Sequence, residues 1–270
     1  MNNRFLWIAI TVFLLFSCAQ NAVTGRKQVL LYKEEDIQAM ALQEYQKFIS
    51  SNQVLRPAAS KEADRIARIG KRLSKAIQQF YSGKGQAHLL EGFQWEYNLV
   101  KSDEINAWCL PGGKIVVYTG LLPVVENDRA LAIVMGHEIA HALAKHGNER
   151  LSQSTLQQLG GVALSVAVAG ESQAAQEVLL DAYGIGTTLG GILPFSRKHE
   201  LEADKLGLIY AALAGYDPRE AIPLWERMEK AAKGNKPPEF LSTHPSEENR
   251  IERLREMMPK ALVYYKADNQ

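Results

Sequence analysis

Cysteine is nearly absent. Cys18 and Cys109 are the two in 270 residues, too few for a disulfide framework or a thiolate zinc cluster, so any metal site must draw on histidine and carboxylates. Charge of one sign is missing as well, with 31 Lys+Arg against 30 Asp+Glu. Without a concentrated basic run there is no electrostatic reason to expect nucleic acid as a partner. The mature chain has no Pro-, Gly- or Ser-rich linker and no internal repeat, which predicts one domain. Apolar runs of membrane-spanning length are missing too: Gly170-Glu171 ends the run 159–169, and Asp181 interrupts the run 178–194. Both runs are read as packed helices. What is present is ordinary for a folded chain: 46% apolar and 23% charged residues, enough to exclude disorder and to bury a sizeable core.

The first residues concern address. A short start carrying Arg4 leads into about eleven apolar residues, where a bilayer span needs roughly twenty, so residues 1–17 are expected to be a signal peptide. Leu15-Phe16-Ser17-Cys18 looks like a lipoprotein cleavage site, in which Cys18 takes the lipid and becomes the mature N-terminus. That expectation places the protein, lipid-anchored, on the periplasmic face of the outer membrane of a Gram-negative bacterium, with Ala19 matching the outer-membrane sorting case. Residues 18–32 read as a lipid-attached tether, tacked by Leu30, Leu31 and Tyr32 onto a domain spanning 33–270. Cys109 is then the one thiol left over, read as a small buried apolar residue rather than a nucleophile.

Apolar residues at Ile37, Met40, Ala41 and Tyr45, and again at Ala63, Ile66, Ile69, Leu73 and Ile77, recur every three or four positions, which predicts two amphipathic helices. Residues 93–100 alternate as a strand does, and Lys114-Ile115-Val116-Val117-Tyr118 is β-branched and follows the turn residues Pro111-Gly112-Gly113. From Asp128 onward the pattern returns to helix, with a last helix expected near Ser246. The fold class is α+β, predominantly α-helical, with a small β-sheet.

His137-Glu138-Ile139-Ala140-His141 lies in a segment of strong helical composition. Residues four apart on a helix differ by about 40° around its axis, so both imidazoles project from one face and can share an ion, for which zinc suits neutral imidazoles. Glu138 is poorly placed to ligate beside His137 but can act as a general base toward the attacking water. The same Glu-x-x-His spacing serves di-iron bundles, which need it twice, and the chain has no second copy.

A hydrolytic zinc site wants a third protein ligand and an open position. Glu200 and Asp204, four apart on another expected helix, share a face; Glu200 is assigned to the metal and Asp204 to the N–H of a ligating imidazole. Spacing alone does not exclude Glu202 or His199. His146 is not the third ligand, because the pattern that would use a more distant histidine requires Gly at 144 and His at 147, where the chain has Ala144 and Gly147. It is expected to be exposed or to cap a helix end. His199 is expected to be structural.

With these residues in place the chain resembles the M48 family of zinc endopeptidases, in the lipoprotein branch related to Oma1-like enzymes. The resemblance rests on Asn21-Ala22-Val23-Thr24-Gly25, residues 106–113, His137 to His141, Ser196-Arg197 with Glu200-Leu201-Glu202-Ala203-Asp204, and Ser242-Thr243-His244-Pro245. It implies a zincin-like domain with one zinc per chain and Glu200 as third ligand. It further implies that His244 lies near the metal, either capping it in a resting enzyme or assisting the transition state. Asn106, Ala107 and Trp108 are read as the edge strand that receives an extended substrate. The expected function is peptide-bond hydrolysis in envelope quality control, acting on unfolded or misassembled envelope proteins. The alternative is a binding or chaperone-like envelope protein whose zinc is structural or capped by His244.

Overall fold

The computed structural model describes residues 18–21, 23–167, 196–233, 238–244 and 249–266. The expected signal peptide, the side chain of Cys18 and the run 178–194 lie outside them. The described chain opens with two short antiparallel strands, β1 (Cys18–Gln20) and β2 (Lys27–Val29). Helix α1 (Glu34–Ser51) follows, its acidic first turn of Glu34, Glu35 and Asp36 matching the positive end of the helix dipole. Helix α2 (Lys61–Gly83) begins where the Ser60 side chain accepts a hydrogen bond from the Ala63 backbone N–H. Its buried stripe of Ala63, Ile66, Ile69, Leu73 and Ile77 is the periodic set read from the sequence.

The sheet has the order β3 (Val54–Leu55), β4 (Glu96–Val100), β6 (Lys114–Tyr118), β5 (Ala107–Leu110). β4 runs parallel to β6, and β5 turns back antiparallel on β6 to form the sheet edge. Gly112 and Gly113 both take positive φ in that turn, which is the backbone freedom the Pro-Gly-Gly sequence supplies. The strand expected over 93–100 starts only at Glu96, because its partner β6 begins opposite at Lys114 and the residues before it meet the glycine turn, with Gln94 N–H donating to the Gly112 carbonyl and Phe93 and Trp95 packed over Gly113. β6 is buried on both faces: Ile115 and Val117 join the main core, while Val116 and Tyr118 face Tyr45 and Phe48 of α1.

The remaining described elements are helical: α3 (Leu122–Val125), α4 (Asp128–Leu143), α5 (His146–Ala167), α6 (Arg197–Leu213), α7 (Ala221–Ala232), α8 (Glu239–Thr243) and α9 (Arg250–Leu262). Residues 245–248, where the last helix was expected to start, lie outside the described set. Every residue of α4 from Ala130 to Leu143 is buried, and Asn127 caps its start by accepting from the Ala130 N–H. α6 is capped in the same manner by Ser196.

α4 and α6 cross almost in backbone contact. A Cβ added at Gly207 would stand 2.8 Å from the His137 backbone nitrogen, so nothing larger than glycine fits there. That crossing presses the histidine face of α4 against the carboxylate face of α6. Among the described residues no helix is long and apolar enough to cross a membrane.

Candidate metal centre

His137 and His141 come from successive turns of α4, and their Nε2 atoms stand 3.0 Å apart. Glu200, in the first turn of α6, places Oε2 3.4 Å from His137 Nε2 and Oε1 3.4 Å from His141 Nε2. His244, just past α8, sets Nδ1 3.1 Å from Glu200 Oε1 and 3.5 Å from His137 Nε2. The His244 ring is held there by stacking on Phe240, with centroids 4.5 Å apart. These four residues form a potential metal-binding group, each offering one ligand atom within 4.8 Å of the others.

Two properties of this chain's own atoms suit a divalent cation. Donors at ordinary zinc distances around a tetrahedron stand roughly 3.3 Å from one another, and the separations among His137, His141 and Glu200, and from His244 to Glu200 and His137, run from 3.0 to 3.5 Å. The second property is charge. Glu138, Glu200 and Asp204 are all buried, and Arg250 is the guanidinium paired with Glu200 and Asp204. Asp204 and Glu200 also draw a proton toward His137, so the site calls for more positive charge than Arg250 supplies, a demand that a dication meets, and buried charge without compensation is costly.

Glu138 sits beside the cluster with Oε1 3.5 Å from His244 Nε2. That oxygen is buried and has no hydrogen-bond partner. Burial pushes the Glu138 carboxyl above its ordinary range, against the pull of His244 and His137, which is the direction a proton acceptor working near neutrality needs. Burial acts on Glu200 in the same sense but is outweighed by His137, His141 and His244, which hold it ionised.

Behind the donors, Asp204 Oδ1 lies 3.0 Å from His137 Nδ1, close enough to orient the ring although the N–H is not aligned as a hydrogen bond. Burial opposes the protonation of His137, yet Asp204 and Glu200 raise it to about 9. Arg250 grips Asp204 with two donors, Nε to Oδ2 at 2.8 Å and Nη2 to Oδ1 at 2.7 Å, and reaches Glu200 Oε2 at 3.4 Å. Its guanidinium lies 3.4 Å over the Trp225 ring.

The residues matched to the peptidase family M48 model run from 60 to 258. The chain belongs to this family. It is 38% identical over 184 residues to the mitochondrial metalloendopeptidase OMA1 of Saccharomyces cerevisiae, covering 66% of this chain and 51% of that protein. The Bos taurus mitochondrial metalloendopeptidase OMA1 is 31% identical over 94% of this chain and 49% of its own length. The beta-barrel assembly-enhancing protease of Escherichia coli is 32% identical over 58% of this chain and 33% of its length. The chain spans about half the length of the first of these relatives. The expected periplasmic, outer-membrane address is corrected by this set, since relatives from yeasts, a plant and animals are named as mitochondrial proteins.

In this M48 chain the structure corrects one sequence expectation directly. His146 is neither exposed nor an end cap: it is wholly buried, with Nδ1 2.9 Å from His141 Nδ1 and Nε2 2.8 Å from Glu202 Oε2. Spacing rules excluded it as a ligand but said nothing of its packing. His199 and Glu202 point away from the donor cluster, His199 to Glu149 at 3.1 Å and Glu202 to His146. Sequence reasoning missed Arg250 entirely. A lone arginine in a charged helix start carries no signal, and only the fold brings it 46 positions back to Asp204. Cys109, expected to be buried, is only partly so: it packs against the core with Sγ facing the Leu110 carbonyl, and desolvation holds the thiol well above its ordinary range.

Proposed function

We propose that this chain is a zinc-dependent endopeptidase, with zinc held by His137, His141 and Glu200 and with Glu138 as general base. The observation that carries this reading is the buried convergence of two imidazoles and a carboxylate at tetrahedral ligand spacing, beside a carboxyl oxygen without a partner. Bound zinc supplies a Lewis acid that polarises the scissile carbonyl and acidifies water. Glu138 accepts the proton of the attacking water and returns it to the leaving amine. Asp204 orients His137, and Arg250 fixes Asp204 and Glu200 so that neither carboxylate swings away.

The edge position of β5 supports substrate binding by strand addition over Asn106, Ala107 and Trp108; the Asn106 carbonyl already accepts from the Tyr118 N–H, so the backbone offered to an extended peptide there is that of Ala107. The Trp108 ring packs edge-on against Phe48 at 5.0 Å, so its contribution is to hold the strand. His244 fits a resting cap: it offers a fourth donor beside His137, His141 and Glu200, where it would exclude water, and these groups are all about 3% exposed. Catalysis then requires it to move aside. Misassembled polypeptides are the substrates this reading favours, and the name of the Escherichia coli relative supports a task in protein assembly.

The test is hydrolysis of casein by the purified protein, expected to stop on zinc chelation and return with added zinc. His244→Ala is expected to cleave faster than wild type if the cap is correct. Should both proteins bind zinc but leave casein intact, the chain is a zinc-holding binding protein instead.

A further inference from the structure

The segment between β1 and α1 is bonded into the rear of the metal centre. Asn21 Nδ2 donates to the Ala144 carbonyl at the C-terminus of α4, 3.0 Å away, while its Oδ1 accepts from the Val23 and Thr24 backbone N–H groups. Leu31 N–H donates to Ser152 Oγ at 2.9 Å, and Asn148 Nδ2 donates to the Tyr32 carbonyl at 2.9 Å. Arg26 lies between two buried carboxylates, donating from Nε to Glu202 Oε2 at 2.7 Å and from Nη1 and Nη2 to Glu149 at 2.8 and 2.5 Å. The Thr24 hydroxyl donates to the other oxygen of Glu202.

Glu202 is the far end of a chain of hydrogen bonds that finishes on a proposed ligand. His141 turns Nε2 into the donor cluster, so an Nε2 lone pair facing a metal requires its ring proton on Nδ1. That N–H meets His146 Nδ1, which must then accept, and this leaves the His146 proton on Nε2, where it is donated to Glu202. In this arrangement each ring proton of the series is donated to the next group. The other ligating imidazole has Asp204 directly behind it, whereas His141 reaches its carboxylate through a second imidazole.

We propose that Arg26, Glu202 and His146 form a positioning relay that fixes the tautomer and orientation of His141, so that the N-terminal segment is a working part of the metal centre and not only a tether. The proposal rests on the zinc reading above. Breaking such outer contacts costs roughly 10–100-fold in metal affinity. Binding linkage adds a reciprocal effect: if docking of residues 21–32 favours zinc, zinc favours docking.

Zinc dissociation constants are measured for wild type, His146→Leu, His146→Gln and Arg26→Ala by competition with a chromophoric chelator, with cobalt-substituted absorption spectra alongside. His146→Leu is expected to weaken zinc by roughly 10–100-fold and shift the cobalt bands. His146→Gln, whose amide can accept and donate at once, is expected to recover most of the affinity. Arg26→Ala is expected to fall between them, and backbone amide exchange in residues 21–32 is expected to slow when zinc is added to the apoprotein. Unchanged zinc affinity and cobalt spectrum in both His146→Leu and Arg26→Ala, with only a lower Tm, overturn the relay. A wild type that takes up no zinc overturns the metal reading itself, a distinct outcome.

Discussion

Glu138→Gln is expected to lower kcat on casein by about 10²–10⁴-fold while zinc binds as tightly as in wild type. The amide keeps the size of the side chain but cannot take a proton. Its neighbours argue for a selective effect: Glu138 touches His244 at 3.5 Å and its Oε1 bonds to nothing else, so no structural hydrogen bond is lost. Steady-state hydrolysis together with metal analysis of the same preparation checks the prediction. A variant that turned over at near the wild-type rate would remove Glu138 from the chemistry, and one that lost zinc would make it a structural support.

Arg250→Leu is expected to produce the largest loss of stability of any single change near the site, about 3–5 kcal/mol, because it leaves buried carboxylates without their cation. Arg250 is buried, both its Asp204 contacts are short, and the guanidinium also loses its seat on Trp225. Urea denaturation of the zinc-free protein is the appropriate measurement, since bound metal would mask part of the imbalance. Adding Asp204→Asn to the variant should recover a substantial part of the loss by removing one orphaned charge. A stability within about 1 kcal/mol of wild type would mean that these carboxylates are compensated in some other way.

The convergence of His137, His141 and Glu200 was legible in the sequence because it is written in local spacing. Histidines four apart on a helix must share a face, and Glu200 and Asp204 repeat the same offset on α6. The groups behind them were not legible, because their partners are remote in sequence. Arg26 finds Glu202 across 176 positions, and nothing in the segment 18–32 distinguishes that cation from one in a solvated tether. His146 was misread for a related reason: a histidine just past a helix end is ordinarily exposed, and only the packing of His141, His199 and Glu202 around it buries it. The helix stripes of α1 and α2 were clear from periodicity, whereas the start of β4 shifted because a strand needs a partner and β6 begins only at Lys114, opposite Glu96.

The central claim is that a carboxylate from α6 completes a chelate begun by two histidines of α4. Zinc titration of purified Glu200→Ala against wild type tests it most directly. One tightly held zinc per chain in wild type, and affinity reduced by at least about 100-fold in the variant with the fold retained by circular dichroism, is the predicted result. Equal stoichiometry and equal affinity in the two proteins would contradict it.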